Sequence, residues 1–440
     1  MARRIFIAFL GVGNPKTPEA PYDTVAYAWE GRPSRRTMFA QAATAEHLGP
    51  FDQIAILCTK DSRQLRPRLK AELQQLPDFI KDSITDLPDD LPTEMTAENQ
   101  WTWFEQLLDV VQDGDHVTFD FTHGMRAVPI IFSSAIGFLR RARAITLEHA
   151  VYGWYDRENT SGLHPLVELR EFFVINDWAE AVSRLAEDAD ARALARLANE
   201  NRGIAALRPL ADPELIEALN SATATLRNVD VNNVGRDVRA ALKIVARHRD
   251  SASGSARLLL DLVDNKFTTL AIDCGGRYDA NYFQLQLAVI DALVEHRLFM
   301  QAATAMRECV GSLGMLGLTG KYDKPMKNDE GRQNRPRFAD TFVNMLQYER
   351  DKWRFDETDP KCGVPHLRPW LDHLAGLGIE AELRAFVPDL IKLRNGFDHA
   401  WTSKKSAEPD IDERCRVYQR ALTTTVLAAL EARSAYPPPA

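Results

Sequence analysis

Cysteine is scarce: Cys58, Cys274, Cys309, Cys362 and Cys415 are scattered through 440 residues, with no C-x-x-C pair. An odd, dispersed set excludes a disulfide framework and a zinc-ligand spacing, and it fits a reducing cytoplasm. Excess basic charge is also missing, since 54 Lys and Arg face 62 Asp and Glu for a net charge of −8. No global field draws in nucleic acid, so any RNA contact must rest on local basic patches. No apolar run reaches the ~20 residues of a membrane span. The opening MARRIFIAFLGVGN places arginines before a short apolar stretch, but no A-x-A site follows. It reads as a first strand, not a signal peptide. Internal repeats and low-complexity tracts are lacking too. What remains is an ordinary globular composition, 45% hydrophobic and 26% charged, in a chain long enough for two or three domains.

Strand and helix signals alternate from residue 1 to about 175. Strands are expected at Ile5–Leu10, Ile54–Cys58, Val117–Phe121 and Ala144–Tyr152. Ser34 can N-cap a helix running to Leu48 and stopping at Gly49. A helical stretch to Leu76, a loop over Lys81–Thr96, helical spacing from Trp101 to Val111 and a helix over Met125–Arg141 complete the pattern. Such alternation predicts an α/β domain with a parallel, doubly wound, Rossmann-like sheet. From Trp178 onward Ala, Leu, Arg and Glu dominate and the chain reads as helix. One amphipathic helix is expected over 178–199, two over 213–248, a break at Asp273–Asp279, and a helix or tight pair over 285–312. Lys321–Arg337 reads as a polar loop and the YPPPA tail as disordered. The domains expected are 1–175, a helical connector 176–280 and an all-α bundle 281–440.

In a doubly wound sheet, ligands gather beyond the carboxyl ends of the strands. Three polar clusters fall there: Gly11, Gly13 and Asn14; Thr59, Lys60 and Ser62; and Asp120, Thr122, His123 and Gly124, with Arg126 after them. The last cluster opens a helix, whose free N–H groups suit phosphate. Gly11–Asn14 lacks the Gly-Lys-Ser/Thr of a P-loop and the third Gly of a dinucleotide fingerprint. Asp120 and His123 have no third metal ligand at a suggestive spacing. Two readings stay open for them, a ligand site or a capped turn with His123 bonded to backbone.

Near the other end, LIKLRNGFDHAW at 390–401 follows an apolar run of Phe386, Leu390, Ile391 and Leu393. That spacing predicts one buried helical face. At about 100° per residue Asn395 and His399 share a face, while Arg394 lies about 140° from His399. Arg, Asn and His suit cleavage of RNA without metal, because RNA carries its own nucleophile in the 2′-OH. An imidazole titrates near pH ~6.5, and a guanidinium fork matches phosphate oxygens. A second copy of the helix across a two-fold axis would supply the group one helix cannot aim. The plainer alternative is a surface helix with an i,i+4 pair between Arg394 and Asp398.

Taken together, DFTHG at 120–124, the apolar helix opening MRAVP, LGVGN near the start, SRRT at 34–37 and ILCTKDS at 56–62 resemble the CRISPR-associated DxTHG-motif family. Its members join an N-terminal CARF sensor to a C-terminal HEPN nuclease domain. The HEPN pattern is met by Arg394, Asn395 and His399, and QAATAMRECVGS at 301–312 resembles the helix beside it. The resemblance spans about 1–175 and 285–405 and leaves 178–280 unmatched. It implies a defence ribonuclease of type III CRISPR systems, activated by cyclic tetra- or hexaadenylate, cutting single-stranded RNA, without metal or other cofactor, as a homodimer or higher oligomer. Thr122, His123 and Arg126 are implied as activator contacts through the motif, within the Asp120–Gly124 turn. Gly11, Gly13, Asn14, Thr59, Lys60 and Ser62 are implied by position at strand ends. Two rivals remain: a CARF regulator with no nuclease, and a sensor that degrades its own activator through His123 or Lys60.

Overall fold

Aromatic and aliphatic residues fill Arg4–Leu10 (β1), and every residue after Arg4 is buried. Ile5, Ile7 and Phe9 face one core layer, while Phe6, Ala8 and Leu10 face the other. A strand buried on both sides belongs at the centre of a sheet covered by helices on both faces. The computed structural model describes residues 2–14, 16–17, 20–80, 82–85, 90–94, 96–123, 128–200, 205–252, 254–274, 278–317, 339–348, 375–402 and 410–435. It divides into two compact units, Met1–Asp177 and Trp178–Ala440.

The first unit holds an eight-stranded sheet in the order β3-β2-β8-β7-β6-β1-β4-β5. These strands are β2 (Ala26–Trp29), β3 (Arg32–Pro33), β4 (Gln53–Cys58), β5 (Ile84–Thr85), β6 (His116–Asp120), β7 (Thr146–Gly153) and β8 (Leu163–Glu168). β1 pairs in parallel with β4 and β6, β4 with β5, and β6 with β7. β8 runs antiparallel to β7, and β2 and β3 continue the sheet beyond it. The sheet is therefore mixed, where the sequence suggests a wholly parallel one. β8 carries Pro165, which argues against a strand unless it lies near an edge. β5 is only two residues long inside a stretch read as loop.

Helices α1 (Ala40–Leu48) and α2 (Arg66–Leu73) cover one face. Helices α3 (Ala97–Val110) and α4 (Val128–Ala142) cover the other. Ser34 does not cap α1: its hydroxyl accepts the Tyr27 amide at 2.9 Å and donates to the Arg35 carbonyl. Thr37 takes the Phe39 amide instead, and the helix starts later than expected. After the β2–β3 excursion to the far edge, the chain returns to place β4 and β5 on one side of β1, then β6 and β7 on the other. The carboxyl ends of β1 and β6 thus form a topological switch point.

The second unit is helical. It contains α6 (Arg192–Glu200), α7 (Pro213–Arg227), α8 (Val231–Arg249), α9 (Gly254–Phe267), α10 (Ala280–Glu295), α11 (Phe299–Gly314), α12 (Glu380–Asp398) and α13 (Ile411–Ala435). The boundary between units lies within α5 (Arg170–Asp188). The single helix expected over 178–199 is two, because Ala189 turns left-handed (φ 51°) and Asp190 caps the Arg192 amide. Residues 285–312 form the tight pair α10 and α11, with Arg297 left-handed between them. α10 packs against both α7 and α8, so helices on either side of residue 280 belong to one unit. Within it, α11 packs against α12 and α13. The Lys321–Arg337 loop and the YPPPA tail lie outside the described residues.

Phe132 on α4 is fully buried and meets Phe9, Trp103 and Phe119 ring to ring. Phe132→Ala should cost about 3–5 kcal/mol, the usual cost of removing a core aromatic. Denaturant unfolding followed by circular dichroism tests this; a loss below about 1 kcal/mol would contradict such tight packing.

Candidate functional site

The DFTHG turn does two separate jobs. Asp120 is buried at the end of β6. It accepts the Thr44 hydroxyl at 2.7 Å and the Thr122 amide at 2.8 Å. The Thr122 hydroxyl accepts the Gly153 amide at 2.8 Å, which fastens the turn to the end of β7. Asp120 and Thr122 are therefore occupied in holding the switch point together. His123 takes no part in these ties. Its Nε2 is shielded from water and, among the described residues, has no hydrogen-bond partner. Burial holds its pKa below the usual 6.5, with the Asp120 charge opposing in part, so the ring is neutral near pH 7.

Gly11 meets His123 directly: a Cβ on Gly11 would lie 3.5 Å from the His123 Cβ and 2.8 Å from the Tyr22 hydroxyl. The Tyr22 ring lies 4.6 Å from the imidazole, and burial pushes its phenol up to about 12. Gly13 is left-handed (φ 68°) and packs against Pro21. Asn14 is exposed, its amide donating to the Pro21 carbonyl and its side chain accepting the Lys16 amide. These contacts fold the loop after β1 over the switch point.

Thr59 and Ser62 satisfy one another. The Thr59 amide donates to the Ser62 hydroxyl at 2.9 Å, and Ser62 is fully buried. Ser62 therefore shapes the turn through its hydroxyl. Lys60 is exposed. Gly124 and Arg126 lie outside the described residues. Between the ends of β1 and β4 is an apolar cavity of about 140 Å³, walled by Leu57, Leu91 and Trp103, with Gly11, Val12 and Thr59 around it. Among the described residues no group of three or more His, Cys, Asp or Glu could hold a metal ion.

In the second unit, the apolar stripe Leu383, Phe386, Val387, Leu390, Leu393 and Gly396 buries one face of α12, as its spacing predicts. His399 stands at the helix C-cap, its amide donating to the Asn395 carbonyl at 3.1 Å. Asn395 and His399 are exposed and Arg394 half-buried. The Arg394 guanidinium pairs at 2.5 Å with Asp398, the residue before His399. The i,i+4 pair of the plainer reading therefore exists, and it leaves both Asn395 and His399 open to solvent. Sequence reasoning missed Tyr22, Gln41, Thr44 and Trp401. A signal existed for Thr44 and for Gln41, which donates to the Phe9 carbonyl, as polar residues on a face of α1 that otherwise reads as alanine. Tyr22 had none, being an isolated aromatic in a loop.

No protein-family model matches the chain. Over 103 residues it is 28% identical to CRISPR-associated protein MJ1674 of Methanocaldococcus jannaschii, a stretch covering 23% of this chain and 16% of that relative. The chain thus matches less than a fifth of the curated relative's length. Among solved structures, Enterococcus italicus Csm6 bound to cyclic hexa-2′-fluoro-hexa-dAMP aligns over 98% of this chain and 95% of that one, with a TM-score of 0.45 and 10% identity. The curated relative is CRISPR-associated, the class that the DFTHG stretch suggests.

A neutral buried His123 makes the first unit sensitive to acid. The unfolded chain takes up a proton near pH ~6.5 that the folded turn resists, so stability must fall as pH drops below that value. Between pH 7.5 and 5 the unfolding midpoint should therefore drop more in the wild type than in His123→Gln. Equal slopes would show that the imidazole is not held neutral.

Proposed function

We propose that the chain is a two-part defence ribonuclease. The sheet unit binds a cyclic oligoadenylate, and the helical unit cuts single-stranded RNA in response. The observation that supports the reading is the end of α12, which carries an exposed His399, an exposed Asn395 and the Arg394 guanidinium within residues 394–399. His399 takes the proton of a 2′-OH, and that oxygen attacks the neighbouring phosphorus. The bond to the 5′-oxygen breaks, leaving a 2′,3′-cyclic phosphate and a 5′-hydroxyl once the leaving oxygen takes a proton. Arg394 neutralises the charge that builds on the phosphoryl oxygens, and Asn395 orients the strand. No metal enters this step.

A single imidazole cannot abstract one proton while donating another on the opposite side of the phosphorus. A second chain supplies the partner, which is why the active form is a homodimer. Ile130 and Phe138 stand exposed on the outer face of α4, an apolar face that a second copy would cover. In the sheet unit, the unpartnered His123 Nε2 gives a polar ligand a partner at the switch point. The adjoining apolar cavity suits a flat base, since an engineered cavity of about 150 Å³ takes up benzene. Phosphates would be met by the helix start after DFTHG and by Lys60. Switching a population from 1:99 to 99:1 takes about 5.5 kcal/mol of differential affinity, within reach of a ring with several bases and phosphates. The neutral His123 also favours a second activity, cleavage of the bound ring itself.

Labelled single-stranded RNA incubated with cyclic tetra- or hexaadenylate in EDTA should be cut by the wild type. His399→Ala and Arg394→Ala should each lose about 10²-fold or more in rate while keeping activator binding. Wild-type cleavage by His399→Ala would move catalysis elsewhere, and the fate of labelled activator reports on ring cleavage.

A further inference from the structure

Trp401 lies two residues beyond His399 and folds back over the helix it ends. Its amide donates to the Gly396 carbonyl at 2.9 Å, and the Ala400 amide donates to the Phe397 carbonyl at 3.0 Å. This is the Schellman closure of a helix, which normally places glycine in the left-handed position. Here Ala400 (φ 46°) and Trp401 (φ 58°) are both left-handed, a conformation disfavoured for residues with a Cβ.

The side chain accounts for the tolerance. A Cβ on Gly396 would come within 2.4 Å of Cζ3 and 2.5 Å of Cη2 of the Trp401 indole, so the ring occupies the space that a side chain at 396 would need. Phe397 meets the indole edge-on, with ring centres 5.6 Å apart. The following turn then grips His399 from its other side. The His399 carbonyl accepts the Thr402 amide at 2.9 Å and the Thr402 hydroxyl at 2.8 Å. The backbone of His399 is thereby fixed at both its amide and its carbonyl, while its imidazole is exposed.

We infer that Trp401, seated on Gly396, is a positioning residue that sets where the His399 imidazole stands for RNA cleavage. The inference rests on the ribonuclease reading and adds a residue outside the Arg-Asn-His set. It also explains why a glycine occupies the last buried position of α12, where helix propensity disfavours it.

Full-length wild type, Trp401→Ala, Trp401→Phe, Gly396→Ala, the Gly396→Ala/Trp401→Ala double variant and His399→Ala would be compared for activator-dependent RNA cleavage. Displacing the imidazole by about 1 Å should lower kcat of Trp401→Ala by about 10²-fold, with KM nearly unchanged. Trp401→Phe, which keeps an aromatic plate on Gly396, should recover most of kcat. Gly396→Ala should fall like Trp401→Ala because the methyl evicts the indole, and the double variant should be no worse than either. Wild-type kcat in Trp401→Ala beside an inactive His399→Ala overturns the inference and spares the ribonuclease reading. Cleavage by His399→Ala sinks both. Circular dichroism and activator binding accompany each variant. Should Trp401→Ala unfold, Trp401→Phe and Gly396→Ala decide, and a kcat that falls only with helix content in both overturns the inference.

Discussion

The buried carboxylate of Asp120 is the constraint on which the sheet unit's crevice depends. It sits at the carboxyl end of β6 and takes the Thr44 hydroxyl from α1 and the Thr122 amide from its own turn. Thr122 extends the tie to β7 through Gly153. A buried carboxylate without such donors would be costly enough to protonate or to open the turn. Because these bonds exist, β6, β7 and α1 converge at fixed spacing, and the loop after β1 can close against His123. One short stretch thus divides its labour: the acid and the threonine tie the strand ends together, and the histidine packs against the loop after β1.

The helical unit presents its histidine by the opposite means. His123 is dry and neutral, and among the described residues its Nε2 has no hydrogen-bond partner. His399 is wet, with its backbone held by Asn395 and Thr402. A buried imidazole suits recognition, because the cost of its orphaned nitrogen is relieved only when a partner arrives. An exposed imidazole can exchange protons with a substrate and with solvent, as proton transfer requires. The environments of the two histidines follow the division of work proposed for the two units.

Much of this was legible in the residues. The central strands, the helices that cover them and the helical second half follow from periodicity, and the DFTHG and RNGFDH stretches fall at element ends as their composition suggests. What was not legible depends on partners distant in sequence. Ser34 looked like a helix cap until β2 claimed its hydroxyl. Ser62 looked like a ligand contact, and that its hydroxyl closes the Thr59 turn was not visible. β8, with a proline inside it, becomes a strand because β7 and β2 pair with it from either side. The reason for a glycine at 396 is visible only once Trp401 lies across it.

The central claim is that an anionic ring taken up by the sheet unit commands RNA cleavage by the helical unit. The direct measurement is a titration with cyclic tetra- and hexaadenylate in which heat of binding and rate of RNA cleavage are read on the same protein. The account predicts that one ring size binds and that cleavage rises along the same saturation curve. Cleavage at full rate without any ring, or saturating binding that leaves RNA intact, would contradict it.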